Sequence, residues 1–310
     1  MNPAPGTEPF VGAGTGVRIQ RILCPVDFSE VSWKAYRYAQ SMAGHYRATL
    51  VVQHVIEPGI HPCGFYSSSA PLFEDFCRLL GANGRYDLQQ FVSRSGGIRP
   101  ECIVQGGIAA DKILSLARER AISLMVLGTH GRRGFNRLLS GSVTERILRH
   151  ASCPVFTVRQ SAGDSNKPDA DAKDDSVRIR RILCCVDLSA RAGRTMKYAL
   201  SLAEACHAEV TILHVLENVS GSADIAGETK TAEANLGKLI PPATNSSIVT
   251  HLAVRQGNAC QGILQFASQT QPDVIVTGVR GHHALELAVF GSFTWRVIQL
   301  GPCPVLAVPT

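Results

Sequence analysis

Two aspartates, Asp27 and Asp187, each close an apolar run, and each stands inside a nine-residue segment that the chain uses twice. Arg21-Ile-Leu-Cys-Pro-Val-Asp-Phe-Ser29 returns as Arg181-Ile-Leu-Cys-Cys-Val-Asp-Leu-Ser189, identical at seven of nine positions. A carboxylate at such a place can accept a hydrogen bond from a base or a sugar, and it serves equally as a turn or helix-capping residue. A second repeated pattern is made of glycines. Gly128-x2-Gly131-x9-Gly141-Ser142 and Gly278-x2-Gly281-x9-Gly291-Ser292 share the spacing G-x2-G-x9-G-S. Glycines after a strand let backbone amides approach an anion, and a Gly-Ser pair opening a helix offers N-terminal amides and the positive end of the dipole to a phosphate. Ser142-Val-Thr-Glu145 also has the S-x-x-E form of a capping box. Trp295 stands where the second copy would need that glutamate, so capping accounts for one copy only.

Other reactive side chains carry less. His54 and His214 recur at the end of the second apolar run of each copy, which reads as a fold element beneath the site more readily than as a catalyst. His130 is replaced by Arg280 in the repeat, so no proton transfer is assigned to it. The ten cysteines include no C-x-x-C pair, which removes the usual metal-ligand spacing; adjacent Cys184 and Cys185 read as small apolar residues of a buried strand. Gly12-Ala-Gly-Thr-Gly16 precedes the first strand instead of following one, so it is not a dinucleotide loop. The lysine-bearing G-x-x-x-x-G-K-[ST] loop and a nucleophile elbow are both absent. No catalytic or metal-ligating residue is assigned.

The elements that would position these residues follow from the duplication. The copies are offset by 160 residues at their start and by 150 from the glycine pattern onward, and Cys153-Pro-Val155 returns as Cys303-Pro-Val305. Apolar runs at Ile22–Val26, Thr49–Val55, Glu101–Gln105, Leu124–Gly128 and Val155–Val158 have counterparts at Ile182–Val186, Val210–Val215, Ile248–Val254, Val274–Gly278 and Val305–Val308. They are continuous instead of alternating, as strands covered on both faces are. Amphipathic stretches such as Asp111–Arg120 and Gln261–Ser268 lie between them. This alternation predicts an α/β fold of two tandem, doubly wound, five-stranded parallel-sheet domains. In such sheets ligands bind beyond the carboxyl ends of the strands, where the aspartates and glycines fall.

The chain of 310 residues, 45% hydrophobic and 18% charged, has material for two packed cores. We expect a loose tail over residues 1–18, domains over 19–159 and 178–310, and between them an acidic linker, 160–177, with five aspartates and almost no apolar residues. No membrane span is present. Met1–Gly16 has neither a basic n-region nor an apolar h-region, so a cytoplasmic location with reduced thiols is expected. Residues 1–159 hold 18 Lys and Arg against 11 Asp and Glu. That excess suits an anionic ligand, and with aromatics at 6% it gives no case for nucleic acid.

The strand-one aspartate taken with Gly-Thr-His-Gly, Gly-Ser-Val-Thr and Cys-Pro-Val resembles the universal stress protein family in its tandem two-domain form, over nearly all of residues 19–159 and 178–310. The resemblance implies a Rossmann-like, adenine nucleotide alpha hydrolase-like fold that binds ATP, with Mg²⁺. It implies that Pro25, Val26 and Asp27 frame the adenosine with Val55 beside the base, and that Gly128, Gly131, Arg132, Gly141, Ser142, Val143 and Thr144 hold ribose and phosphates. The matching positions of the second copy are Val186, Asp187, Val215, Gly278, Gly281, Gly291, Ser292 and Thr294. It also implies pairing of the last strands, which here would make an intramolecular pseudo-dimer and leaves a homodimer open. The second copy departs in having Cys185 for the proline, Phe293 for the valine, His282-His283 for Arg132-Arg133 and Leu287 for Arg137. Phosphate attraction should therefore be weaker there. Three readings follow: a nucleotide-dependent regulatory or stress-response protein acting through conformation or a protein partner, a slow ATP-hydrolysing enzyme, or an interaction module that has lost its nucleotide. The first is preferred, because both copies keep the glycine spacing and neither has dedicated catalytic machinery.

Overall fold

The computed structural model describes residues 15–57, 71–129, 142–159, 177–217, 225–241, 248–279 and 292–310, with side chains throughout except at 71–80, 142, 225 and 292. In the first half β1 (Arg21–Val26), α1 (Glu30–Tyr46), β2 (Thr49–Ile56), α2 (Pro71–Ser93), β3 (Glu101–Gly106), α3 (Ala109–Glu119), β4 (Leu124–Gly128), α4 (Ser142–His150) and β5 (Val155–Val158) follow one another. The second half repeats the order with β6 (Arg181–Cys185), α5 (Ala192–Cys206), β7 (Glu209–Leu216), α6 (Ile225–Leu239), β8 (Thr250–Gln256), α7 (Ala259–Thr270), β9 (Val274–Val279), α8 (Ser292–Leu300) and β10 (Val305–Pro309).

All ten strands form one sheet in the order β3-β2-β1-β4-β5-β10-β9-β6-β7-β8. Each half is parallel throughout, and the halves meet through an antiparallel pair with Val305 opposite Thr157, Leu306 opposite Phe156 and Ala307 opposite Val155. The expected pairing of the last strands within one chain is therefore present. Thr157 Oγ1 donates to the Val305 carbonyl at 3.1 Å, and Arg159 Nη1 donates to the Gly301 carbonyl at 2.8 Å. On one face Tyr38 of α1 meets the Phe156 ring at 5.2 Å, and the Tyr46 hydroxyl lies 3.3 Å from Ser201 Oγ of α5.

Successive strand residues enter opposite cores. Ile22 and Cys24 pack under α1, α2, α5 and α6 with Tyr36, Met42, Phe91 and Met196. Leu23 packs under α3, α4, α7 and α8 with Ile113, Ile147, Phe266 and Val297. Both cores draw residues from both halves. This double burial is why the strands read as continuous apolar runs. The expected bounds shift by one or two residues. The largest shift is in β8, which spans Thr250–Gln256 because its pairing with β7 runs from Val210 opposite Thr250 to Leu216 opposite Gln256. Apolar content marks burial, whereas the ladder is set by backbone partners, so polar Arg255 and Gln256 belong to the strand and Ile248 does not.

Candidate functional site

The order within each half reverses direction between β1 and β4, and again between β6 and β9. At such a switch point the two connecting helices leave on opposite faces, and a crevice opens at the carboxyl ends of the strands. Asp27 and Asp187 lie there, one residue beyond Val26 and Val186.

The turn that carries Asp27 is built from its own neighbours. Asp27 Oδ1 accepts from the Ser29 amide at 3.1 Å and the Ser29 hydroxyl at 2.6 Å. Ser29 is the N-cap of α1 and its Oγ accepts from the Ser32 amide at 3.2 Å. Phe28 between them is forced to φ 64°, a left-handed conformation unusual for a bulky residue and a cost in local strain. The second half repeats the strain, with Leu188 at φ 57° and the Ser189 amide 3.1 Å from Asp187 Oδ1. Asp27 is half-buried and Asp187 exposed.

Below each turn a histidine holds the strand end. His54 Nδ1 lies 2.9 Å from the Val26 carbonyl, and His214 Nδ1 lies 2.9 Å from the Val186 carbonyl. A carbonyl only accepts, so Nδ1 carries the proton in both contacts. Phe28 stacks on His54 with centroids 4.3 Å apart. Glu57 and Glu217, three residues after each histidine, accept from the first amides of α3 and α7, Ala109 at 3.2 Å and Ala259 at 3.0 Å.

Gly128 ends β4, and its missing side chain has a packing reason. A Cβ there would lie 2.7 Å from Val31 Cγ1 and 3.2 Å from the Val31 carbonyl carbon, so α1 rests directly on the strand. Gly128 thus has a packing role of its own, with α1 in the place of a side chain. Thr144 and Thr294 are buried, and each donates its hydroxyl at 3.1 Å to the carbonyl of the strand-ending glycine, Gly128 and Gly278. These threonines tie the start of α4 and α8 to the end of β4 and β9. Ser142 and Ser292 are the first residues of α4 and α8. Glu145 Oε1, the acid of the capping-box pattern, is held by Arg149 at 2.7 Å.

Pro25 and Val26 end β1, with Val26 opposite His54, and Val55 follows one residue on. Val55 and Val143 are half-buried against the α3/α4 core, whereas Val186 and Val215 are buried. Gly131, Arg132, Gly141, Gly281 and Gly291, with His130, Arg133, Arg137, Arg280, His282, His283 and Leu287, lie outside the described residues. Among the described residues no group of three or more His, Cys, Asp or Glu converges as a metal site requires, and no described helix is long and apolar enough to cross a membrane.

Sequence reading passed over Ser29, Ser189, Glu57 and Glu217. Their signal was present: the serines end the nine-residue repeat, and the glutamates sit in His54-Val-Ile-Glu57 and His214-Val-Leu-Glu217. The left-handed residues left no such mark, because nothing in Phe or Leu announces positive φ.

Two switch-point turns on one continuous sheet define a doubly wound α/β protein in tandem, with one switch point per half. The model of the universal stress protein family matches residues 18–159 and 178–309, and the chain belongs to that family. It is 24% identical over 304 residues to a universal stress protein of Mycolicibacterium smegmatis, a match covering 93% of this chain and 96% of the relative. A universal stress protein of Methanocaldococcus jannaschii is 28% identical over 144 residues, 46% of this chain and 82% of the relative. The crystal structure of a universal stress protein from Archaeoglobus fulgidus superposes with a TM-score of 0.65 at 21% identity, covering 93% of this chain and 98% of that one.

Proposed function

We propose that the protein binds an adenine nucleotide, ATP with Mg²⁺, at its switch-point crevices, and that nucleotide state sets its conformation or its contacts with a protein partner. The observation that carries this reading is the strained Asp-x-Ser turn, with its left-handed central residue at Phe28 and Leu188, found twice at the place where doubly wound sheets take ligands. The turn recurs at the switch point of each half, with an aspartate at its head both times.

In this reading residues 19–159 and 178–310 are two binding units. Asp27 would accept from the ribose or the base, with Pro25, Val26 and Val55 around the base. Gly131, Arg132, Gly141, Ser142 and Val143 would meet ribose and phosphates. Thr144 would contribute through its amide, since its hydroxyl is engaged by Gly128. The triphosphate would supply most of the ligands to Mg²⁺, which commonly keeps its waters and takes few from protein.

Calorimetric titration of the intact protein with ATP and Mg²⁺ tests the proposal. Saturable binding that Asp27→Ala weakens by about tenfold, about 1.4 kcal/mol, is the expected result. No binding at millimolar ATP overturns it.

A further inference from the structure

Among the described residues two buried side-chain oxygens lack a hydrogen-bond partner, the Tyr36 hydroxyl and Gln53 Oε1. Tyr36 belongs to α1 and packs beside Trp33 and Phe91, with ring centroids 5.6 and 5.7 Å away, in the core on the α1/α2 face. Gln53 is on the other face. Val51 and Val55, two residues to either side of it on β2, pack into the α3/α4 core, and side chains two apart on a strand share a face. Gln53 is 0% exposed, and it is the one amide side chain among the described residues that are buried. Its Nε2 donates to Gln105 Oε1 at 2.8 Å, and Gln105 stands on β3 opposite Val55. A buried polar atom without a partner is costly and rare in folded proteins.

The place of Gln53 in the sheet supplies a reason. It lies opposite Pro25 of β1, and Val55 follows two residues on along the same face. Pro25 and Val55 are two of the residues proposed to surround the base, so the orphaned oxygen belongs to the floor beneath it. Packing alone does not require an amide here. Leu213 and Arg255 take the positions of Gln53 and Gln105 in the second half. Leu213 is buried without a polar atom, and Arg255 holds its guanidinium over the Phe266 ring at 4.9 Å. Because Gln105 takes the N–H of Gln53, the group that Gln53 has left is an acceptor. An acceptor complements the 6-amino group of adenine and opposes the 6-oxo group of guanine or hypoxanthine.

We propose that Gln53 reads the base, its Oε1 accepting from the 6-amino group of adenine and rejecting 6-oxo purines. Gln105 is here a positioning residue: by holding the amide nitrogen of Gln53 it decides which end of the amide is presented. The oxygen is closed to water, so a base that brings no donor leaves it unpaired. This role rests on the nucleotide reading above and adds to it the group of the base that is recognised.

The test uses the full chain with Mg²⁺ and either ATP or inosine 5′-triphosphate, in which a 6-oxo group replaces the 6-amino group. Hydrogen exchange of the β2 amides, followed against nucleotide concentration, reads the affinity of the first half for each. The natural sequence should favour ATP about tenfold. Gln53→Leu, which installs the residue of the second half, should bring the two nucleotides within about twofold by weakening ATP and sparing the inosine nucleotide. Its thermal midpoint should hold or rise, since an unpartnered buried amide has been removed. Gln105→Leu, at the half-buried partner, should also reduce the preference, because the Gln53 amide can then turn either end to the base. A preference kept at its natural value in Gln105→Leu overturns the positioning role. Equal binding of the two nucleotides by the natural sequence, or a preference unchanged in Gln53→Leu, overturns the role of Gln53 and leaves the nucleotide reading intact. No ATP binding by the natural sequence overturns both together.

Discussion

Gly128 shows how much packing one missing methyl group can permit. In the sequence it looks like a glycine that clears a path to an anion. In the fold it lets the first turn of α1 rest on β4, with Val31 Cγ1 at 2.7 Å and Val31 backbone atoms at 3.2 and 3.3 Å from where a Cβ would stand. Gly278 has side-chain neighbours instead, Thr195 Oγ1 at 3.0 Å and Thr310 Cγ2 at 3.1 Å, which give way more easily than backbone. Gly128→Ala should therefore destabilise the protein by about 1–3 kcal/mol, and Gly278→Ala by clearly less. Urea unfolding of the two variants checks this, and equal losses would contradict it. The repeat made both glycines visible, but what faces a glycine across a helix–strand contact has no local signature. The same limit hid the bond from the Thr144 hydroxyl to the Gly128 carbonyl.

At the scale of elements the sequence was most legible where the physics is simplest. Strands covered on both faces must be apolar throughout, and the inner strands stood out on that ground, whereas the edge strands β3 and β8 are largely exposed. Hydrogen-bonding detail was less visible. Pro25 withholds one ladder donor from β1, yet which neighbour that donor would have faced depends on the register. Helix starts differ in the same hidden way. Ser29 Oγ accepts from the Ser32 amide and donates to Asp27, so it holds both α1 and the site turn. Ser189 Oγ accepts only a longer contact, 3.3 Å, from the Arg191 amide, and α5 has no side-chain cap. Ser29→Ala should cost about 1 kcal/mol, the usual loss for an N-cap, with Ser189→Ala close to neutral. Denaturant midpoints at matched slope measure both, and a larger loss at Ser189 would contradict the difference in capping.

The whole molecule is expected to unfold as one cooperative body, because the sheet is continuous through β5 and β10 and each core takes residues from both copies. Buried thiols are distributed the same way. Burial pushes Cys153, Cys184, Cys206 and Cys303 up to about 12 from an ordinary value of 9.0. Cys24 and Cys185 are raised by the same cause. A thiol whose folded pKa lies above its unfolded value favours the folded state fully below the unfolded pKa, and that contribution is lost as pH rises toward the folded pKa. The affected window runs from about pH 9 to about pH 12, where the unfolded chain sheds protons that the folded chain keeps. Each such thiol steepens the loss by up to about 1.4 kcal/mol per pH unit, and those cited lie in both halves. Under reducing conditions the urea midpoint should therefore hold between pH 7 and 8.5 and fall steeply by pH 10, in a single transition reported identically by probes in either half. A midpoint unchanged at pH 10 would mean that the thiols ionise in place. Two separate transitions would mean that the β5–β10 seam is too weak to make the duplicated chain unfold as one.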